Sequence, residues 1–445
     1  MSSDISFKHI NKLAIPALIA GISEPILSIT DTAIVGNINV NPTESLAAVG
    51  IVGTFISMLV WVLGQTRSAI SSIVSQYVGA NKVEAVKNLP AQAIFIITLL
   101  SVLIIIGTYP FAKSIFKLYN ASHLILEYSV TYYNIRVFGF PFTLFTMAVF
   151  GTFRGLQNTF YPMIIAVVGA LVNIVLDVVL VFGVPSLLIP ALNIEGAAYA
   201  SVMAQFIMAV LSAYFLLKKT NIPLKLSFPL NKEINKFVVM VLNLFVRTLA
   251  LNVTLYFATR FATGYGASYI AAYTIAINLW FFGAFFIDGY ASAGNILSGK
   301  LLGAKQYQNL MALSNKLIKY GIVVGVVLAL VGAVFYYPIG RIFSKDPEVL
   351  NLFYKSFWLV LAMQPLCALA FIFDGMFKGL GRMKFLRNVL LFSTFLVFVP
   401  VLFLLDHLGY KLNGIFLSLA LWIIARGLPL IVKFRKTFIP LSKNR

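Results

Sequence analysis

The sequence predicts an all-α integral membrane protein with twelve transmembrane helices, arranged as two six-helix lobes about a pseudo-two-fold axis along the membrane normal. Three observations carry this expectation. Hydrophobic residues make up 60% of the 445-residue chain and charged residues only 11%. A soluble domain carries about 25% charged residues, so water is the wrong solvent for most of this surface. The apolar runs are long enough to cross a bilayer, which takes about 20 residues each. The chain also repeats itself at a fixed offset.

The apolar runs fall at about 13–37, 46–74, 90–111, 126–151, 161–183 and 196–217 in the first half. The second half has runs at about 237–261, 268–298, 317–338, 350–377, 388–405 and 413–432. The polar start, Met1 to Lys12, precedes a run longer than a signal-peptide core. No small-residue cleavage site closes that run, so it reads as the first span.

A net charge of +20 would point to nucleic acid in a soluble protein. Its distribution says otherwise. With the N-terminus inside, 23 of the 34 Lys and Arg residues fall in cytoplasmic segments, 6 fall outside and 5 lie within or at the edges of spans. Basic residues collect on the cytoplasmic side of membrane proteins. The asymmetry therefore places both termini in the cytoplasm of a multi-pass inner-membrane protein, surrounded by lipid and with no nucleic-acid partner. Cys367 is the single cysteine, so no intrachain disulfide can form.

The repeat confirms the even helix count. Leu46-Ala47-Ala48 and Ile270-Ala271-Ala272 open similar spans, and Gly79-Ala80 and Gly303-Ala304 follow at the same distance. Pro141 matches Pro365, Gly151 matches Gly375, and Arg154-Gly155-Leu156 matches Lys378-Gly379-Leu380. Every pair lies 224 positions apart (303 less 79, 365 less 141). Residues 1–218 are thus read as an N-terminal lobe, 219–236 as a cytoplasmic linker and 237–445 as a C-terminal lobe. Six helices per lobe is an even number, so both lobes insert the same way round, as in transporters built from parallel repeats. A cleft between such lobes can open to either side by rocking, which argues for a carrier over a receptor.

Charged groups inside a span cost about 2.5–3.5 kcal/mol each on insertion scales, so they mark function or specific pairing. The first span holds Glu24 and Asp31, seven residues apart and on nearly one face. The fifth holds Asn173 and Asp177, four apart and also on one face. Burial disfavours the ionised form of a carboxyl, so this set can take up and release a proton. The rival reading is hydrogen bonding between neighbouring helices. The same offset puts Leu255, Val397 and Val401 opposite Asp31, Asn173 and Asp177, so the acids belong to one lobe only. In the second lobe, Asp374 and Lys378 read as a structural pair, whereas Arg247 and Asp288 either neutralise each other or line a cavity.

Pro16 and Pro25 interrupt the first span, where each removes a helical hydrogen bond and clashes with the preceding turn. They mark either a hinge that bends when Asp31 changes charge or a static kink. Gly151/Gly155, Gly321/Gly325 and Gly375/Gly379 read as close helix contacts. The stretch GNILSGK, Gly294 to Lys300, lacks the Ser or Thr of a phosphate loop and has no preceding strand, so nucleotide binding is excluded. The histidines, His9, His123 and His407, lie in terminal or loop regions, so no metal cluster or cofactor is expected and an enzyme is disfavoured.

Together these segments resemble the multidrug and toxic compound extrusion (MATE) transporters, and within them the DinF-type branch. The resemblance covers nearly the whole chain. It rests on Pro16-Ala17-Leu18, Thr30-Asp31-Thr32-Ala33-Ile34-Val35-Gly36, Ser75 to Ala80, Arg154 to Thr159, Asn173 with Asp177, Asp288-Gly289-Tyr290-Ala291, Gly299 to Ala304, and Asp374-Gly375. It implies H+- or Na+-coupled antiport of small organic substrates, often cationic and amphipathic, by a monomer. It further implies coupling at Asp31, Asn173 and Asp177, where Na+ is the alternative ion, and first-helix bending at Pro16 when Asp31 is protonated. Asn295 is read as a departure at a position late in the eighth span where relatives often carry an acidic or amide residue. A lipid-linked precursor flippase of the same wider superfamily is the alternative, although the acids here outnumber an obvious Arg cluster.

Overall fold

The computed structural model describes residues 5–38, 40–119 and 121–443, without the side chains of residues 24, 25, 27–29 and 187. Twelve long helical segments follow one another: α1 (Phe7–Val35), α2 (Pro42–Gly79), α3 (Val83–Leu118), α4 (His123–Gly155), α5 (Phe160–Phe182) and α6 (Asn193–Lys219). The second half contributes α7 (Ile234–Gly264), α8 (Ala267–Gly303), α9 (Tyr307–Val334), α10 (Pro347–Gly379), α11 (Met383–His407) and α12 (Lys411–Lys443). Eleven of these, α2 to α12, are long and apolar enough to cross a membrane, and α1 adds a twelfth of 29 residues. Among the described residues there is no β-strand beyond one isolated bridge, Val184 with Ile189. In lipid, only a structure that satisfies its own backbone hydrogen bonds is stable, and a helix does so within one segment.

The helix surfaces show which solvent they meet. On α3, Phe95, Leu99, Leu103 and Ile106 are exposed along one stripe, while Ala91, Ile94, Ile97 and Ser101 are buried along another. On α9, Val323, Val327, Leu330 and Val334 are exposed, the last at 76%. Large apolar side chains exposed at helical spacing on helix after helix require hydrocarbon outside. The protein is therefore a multi-pass membrane protein.

The chain forms two compact units. One comprises Met1–Leu18, Ser75–Asn81 and Leu242–Arg445, and the other comprises Ile19–Val74 and Lys82–Val241. Helix α1 gives its first turns, up to Leu18, to one unit and the rest to the other, and Pro16 stands two residues before that division. Those first turns are well anchored. Ile10, Leu13 and Ala14 are buried with residues of α8, α9, α10 and α12. Tyr290 Oη donates to Asn11 Oδ1 at 2.9 Å, and Lys316 Nζ donates to the Ile5 carbonyl at 3.0 Å. In the other unit, the segment before α7 is tied to α3 by Gln92, whose Nε2 donates to the Ser227 carbonyl at 2.8 Å and whose Oε1 accepts from the Asn231 backbone N–H at 2.8 Å.

The last turn of α2 packs inside the unit of the C-terminal half, where small residues are essential. A Cβ on Gly79 would strike the Lys300 carbonyl oxygen, and one on Gly303 would strike the Gln76 carbonyl oxygen. Gln76 and Lys300 are also 224 positions apart (300 less 76), so the two approaches exchange under the internal repeat. Gln76 Nε2 donates to the Gly379 carbonyl at 2.8 Å and Ser298 Oγ donates to the Met376 carbonyl at 3.0 Å, which binds α10 to the same point. Gly79→Ala should lower the unfolding temperature, because the added methyl meets backbone that cannot move aside. The expected cost is about 1–3 kcal/mol. Gly107→Ala in α3, where a Cβ meets nothing within 4 Å, should be neutral or slightly stabilising by comparison. Equal melting temperatures for the two variants would remove the packing argument.

The phosphate-loop look-alike lies wholly inside α8. Its glycines serve packing instead: a Cβ on Gly294 would press on Leu317 and Met376 at 3.2 Å, and one on Gly299 would clash with Ser75.

Candidate functional site

Helix α5 shows how the fold brings polar groups together inside a span. Its buried residues, Ile165, Ala166, Gly169, Ala170, Asn173, Asp177 and Val181, recur every three or four positions and so form one face. The opposite face exposes Leu171, Val175 and Val178. Gly169 and Gly196 permit close approach of α5 and α6: a Cβ on Gly169 would strike Met208, and one on Gly196 would meet the Leu180 carbonyl at 2.5 Å. The two polar side chains therefore point inward, away from lipid, and Asp177 is 0% exposed.

Asp31 on α1 completes the group within the same unit. Asn173 Nδ2 donates to Asp31 Oδ1 at 3.0 Å and also to Asp177 Oδ2. One amide group thus stands between two buried carboxyls. The second oxygen of Asp177, Oδ1, has no hydrogen-bond partner among the described residues. Arg136 on α4 acts electrostatically on both carboxyls, and Ser201 on α6 acts on Asp31. Arg136 makes no ion pair within 4.0 Å among the described residues, so its charge acts at longer range.

The electrostatic consequence is direct. Two carboxylates sharing one amide in a site shielded from water repel each other strongly, so one bound cation relieves the site. A proton needs only an oxygen to sit on, and Asp177 Oδ1 is one. Sodium needs several oxygens, but here the amide presents N–H to both acids.

The other expected residues fall elsewhere. Pro16 is partly buried in the N-terminal turns of α1, which runs through it as helix. The side chains of Glu24 and Pro25 lie outside the described residues. Asn295 is 7% exposed and packed where α8 meets α10: its carbonyl faces the position a Gly379 Cβ would take.

Of the two readings of Arg247 and Asp288, mutual neutralisation is not what the structure holds. Arg247 Nη2 instead meets Asp374 Oδ1 at 2.5 Å, across α7 and α10. Asp288 is exposed on α8 and has no ion pair within 4.0 Å among the described residues. Two further cations share Asp374. Lys378 Nζ lies 3.1 Å from Oδ2, as the i,i+4 spacing suggests, and Arg426 Nη2 lies 3.4 Å from Oδ1. The Arg426 guanidinium also sits over the rings of Phe371 and Trp422, at 5.1 and 5.3 Å. Sequence reasoning missed Arg426 and Arg136 as site residues. The signal was present in both, since an arginine within a span is costly, but neither has an acidic residue at helical spacing to single it out.

Comparison with known proteins agrees with the fold. A family profile described as MatE matches residues 16–179 and 244–404. The chain is 25% identical over 441 residues to DNA damage-inducible protein F of Escherichia coli (strain K12), covering 98% of this chain and 93% of that protein. It is also 25% identical over 479 residues to Protein DETOXIFICATION 42 of Arabidopsis thaliana, covering 94% of this chain and 90% of the relative. Among solved structures, a MATE protein in a bent conformation superposes with a TM-score of 0.90 at 21% identity, covering 98% of this chain and 96% of the other, which is a likeness of fold.

Proposed function

The chain belongs to the MatE family of membrane transporters, and from that premise we propose that it is a secondary antiporter. It exports small organic compounds, amphipathic cations among them, in exchange for protons that enter at Asp31, Asn173 and Asp177. The observation that carries this reading is the amide of Asn173 held between two buried carboxyls within the membrane-spanning region. A site of that kind holds one proton or one positively charged substrate well and both together poorly. Binding of either therefore displaces the other, which is the thermodynamic requirement for exchange.

The orientation of the amide supports H+ over Na+ as the driving ion, because an amide N–H facing both acids repels a metal cation. Helix α1 supplies a means of coupling. It carries Asp31 in one unit and is anchored in the other by its first turns, with Pro16 just before the division. A change in charge at Asp31 would then be felt as a bend near Pro16. The basic segments face the cytoplasm of the inner membrane, together with both termini, so export runs outward against an inward proton gradient.

Proteoliposomes loaded with an amphipathic cationic dye separate the two ions. An imposed proton gradient should drive dye movement, and a sodium gradient of equal size should not. Movement driven equally well by sodium at constant pH would transfer the site to that ion.

A further inference from the structure

The C-terminal half holds a second buried ionic group, and its charges do not balance. Arg247, Lys378 and Arg426 surround a single carboxylate, that of Asp374, at 2.5, 3.1 and 3.4 Å. Arg247, Asp374 and Arg426 are at most 6% exposed. The Nε–H groups of both arginines are buried and have no hydrogen-bond partner among the described residues. Taking a charge out of water costs several times what a weak contact returns, so buried charges are matched by opposite charge. Asp288 acts on Lys378 only from a distance and is exposed. The aromatic faces of Phe371 and Trp422 offset part of the charge on Arg426 alone.

We propose that Arg247, Arg426 and Lys378 form an anion site in the C-terminal half, which takes one carboxylate or phosphate group of a bound molecule. Two guanidiniums with free N–H groups match the geometry of such oxyanions, which arginine binds with paired hydrogen bonds. Asp374 and Lys378 lie in the last turns of α10, and Arg247 and Arg426 meet them from the middles of α7 and α12. In the orientation proposed above, the end of α10 is the cytoplasmic one, from which an exported compound is loaded. Substrates would then include amphipathic acids and zwitterions as well as cations. The inference uses the antiport reading only for this direction; the anion site itself stands on the unbalanced charges.

The test uses the purified full-length protein in uncharged detergent, with benzoate and inorganic phosphate as probes and the unfolding temperature as readout. Either probe should raise that temperature saturably. Arg426→Gln should weaken the apparent affinity by at least about tenfold, the loss of a charge-assisted pair. The same variant should melt no lower than the unmodified protein without anion, because it removes a surplus cation. Should Arg426→Gln not fold, Arg426→Lys keeps the charge, loses the fork and should also bind more weakly. Asp31→Asn should respond to anions normally, so a failed antiport reading and a failed anion site give different results. In nanodiscs of phosphatidylglycerol, a rise in stability over phosphatidylcholine that Arg426→Gln removes would identify a lipid phosphate as occupant. A benzoate response undiminished by phosphatidylglycerol would identify a free oxyanion, and either result upholds the site. No saturable effect of benzoate, phosphate or phosphatidylglycerol, or effects unchanged in Arg426→Gln, would overturn it.

Discussion

Asp31→Asn should reduce proton-driven dye efflux in proteoliposomes to the level of protein-free vesicles while leaving the protein folded. The substitution keeps the shape and a hydrogen-bond acceptor for Asn173 Nδ2, so the contact seen at 3.0 Å can persist. What disappears is the second negative charge, and with it the repulsion that makes the site want a cation. Energetics set the scale. One unit of pH supplies about 1.4 kcal/mol per proton, equivalent to a tenfold gradient. A potential of 100 mV supplies about 2.3 kcal/mol per charge. Exchange of one proton for one monovalent cation moves no net charge, so only the pH difference drives it. Dye accumulation in the unmodified protein should accordingly follow the pH step and ignore an imposed potential. Asp177→Asn should also uncouple transport, since Asp177 carries the oxygen without a partner. Efflux by Asp31→Asn at the unmodified rate would remove Asp31 from the coupling role.

The second large effect concerns stability. Asp374→Ala should destabilise the protein by about 3–5 kcal/mol, the usual cost of removing one member of a buried ion pair. The figure follows from the arrangement: Asp374 is the only acid within 4.0 Å of Arg247, Lys378 and Arg426 among the described residues, so its loss leaves three cations facing one another. Adding Arg247→Leu to that variant should recover part of the loss, because the most buried stranded charge is then gone as well. Chemical denaturation of the single and double variants checks both. A double variant less stable than Asp374→Ala would mean that Arg247 contributes through packing rather than charge.

Most of this architecture is legible in the sequence because bilayer thickness dictates it. Twelve apolar runs of adequate length become twelve helices, and the 224-residue offset reappears as a physical contact in which Gly79 and Gly303 exchange places. The pair Asn173 and Asp177 is equally readable, since a spacing of four puts them on one helix face whatever the tertiary structure. Lys378 beside Asp374 is a case of the same rule. Contacts between helices obey no such rule. Whether Arg247 meets Asp288 or Asp374 depends on how α7, α8 and α10 rotate about their axes, and apolar helices surrounded by lipid carry little amphipathic pattern to reveal that rotation. Arg426 escaped notice for the same reason, its partner being 52 residues away on another helix (426 less 374). The division of α1 at Leu18 is also invisible locally: Pro16 announces a weak point but not which side of it is anchored.

These corrections change the picture of the two halves. The acids lie in the first half, as their spacing suggests, but the second half is not electrically plain. It carries an excess of buried positive charge where the first carries an excess of negative. On the proposed reading, a transporter so built discriminates substrates by charge at two places and couples to protons at one.

The central claim is that the Asp31–Asn173–Asp177 group holds either a proton or a cationic substrate. Proton release on substrate binding measures this directly. Purified protein in weakly buffered detergent solution is mixed with an amphipathic cationic dye, and the pH change is followed. About one proton should be released per dye bound, since a shared carboxyl pair gives up the proton that the dye replaces, and none should be released from Asp31→Asn. Dye binding without proton release in the unmodified protein, or equal release from Asp31→Asn, would contradict it.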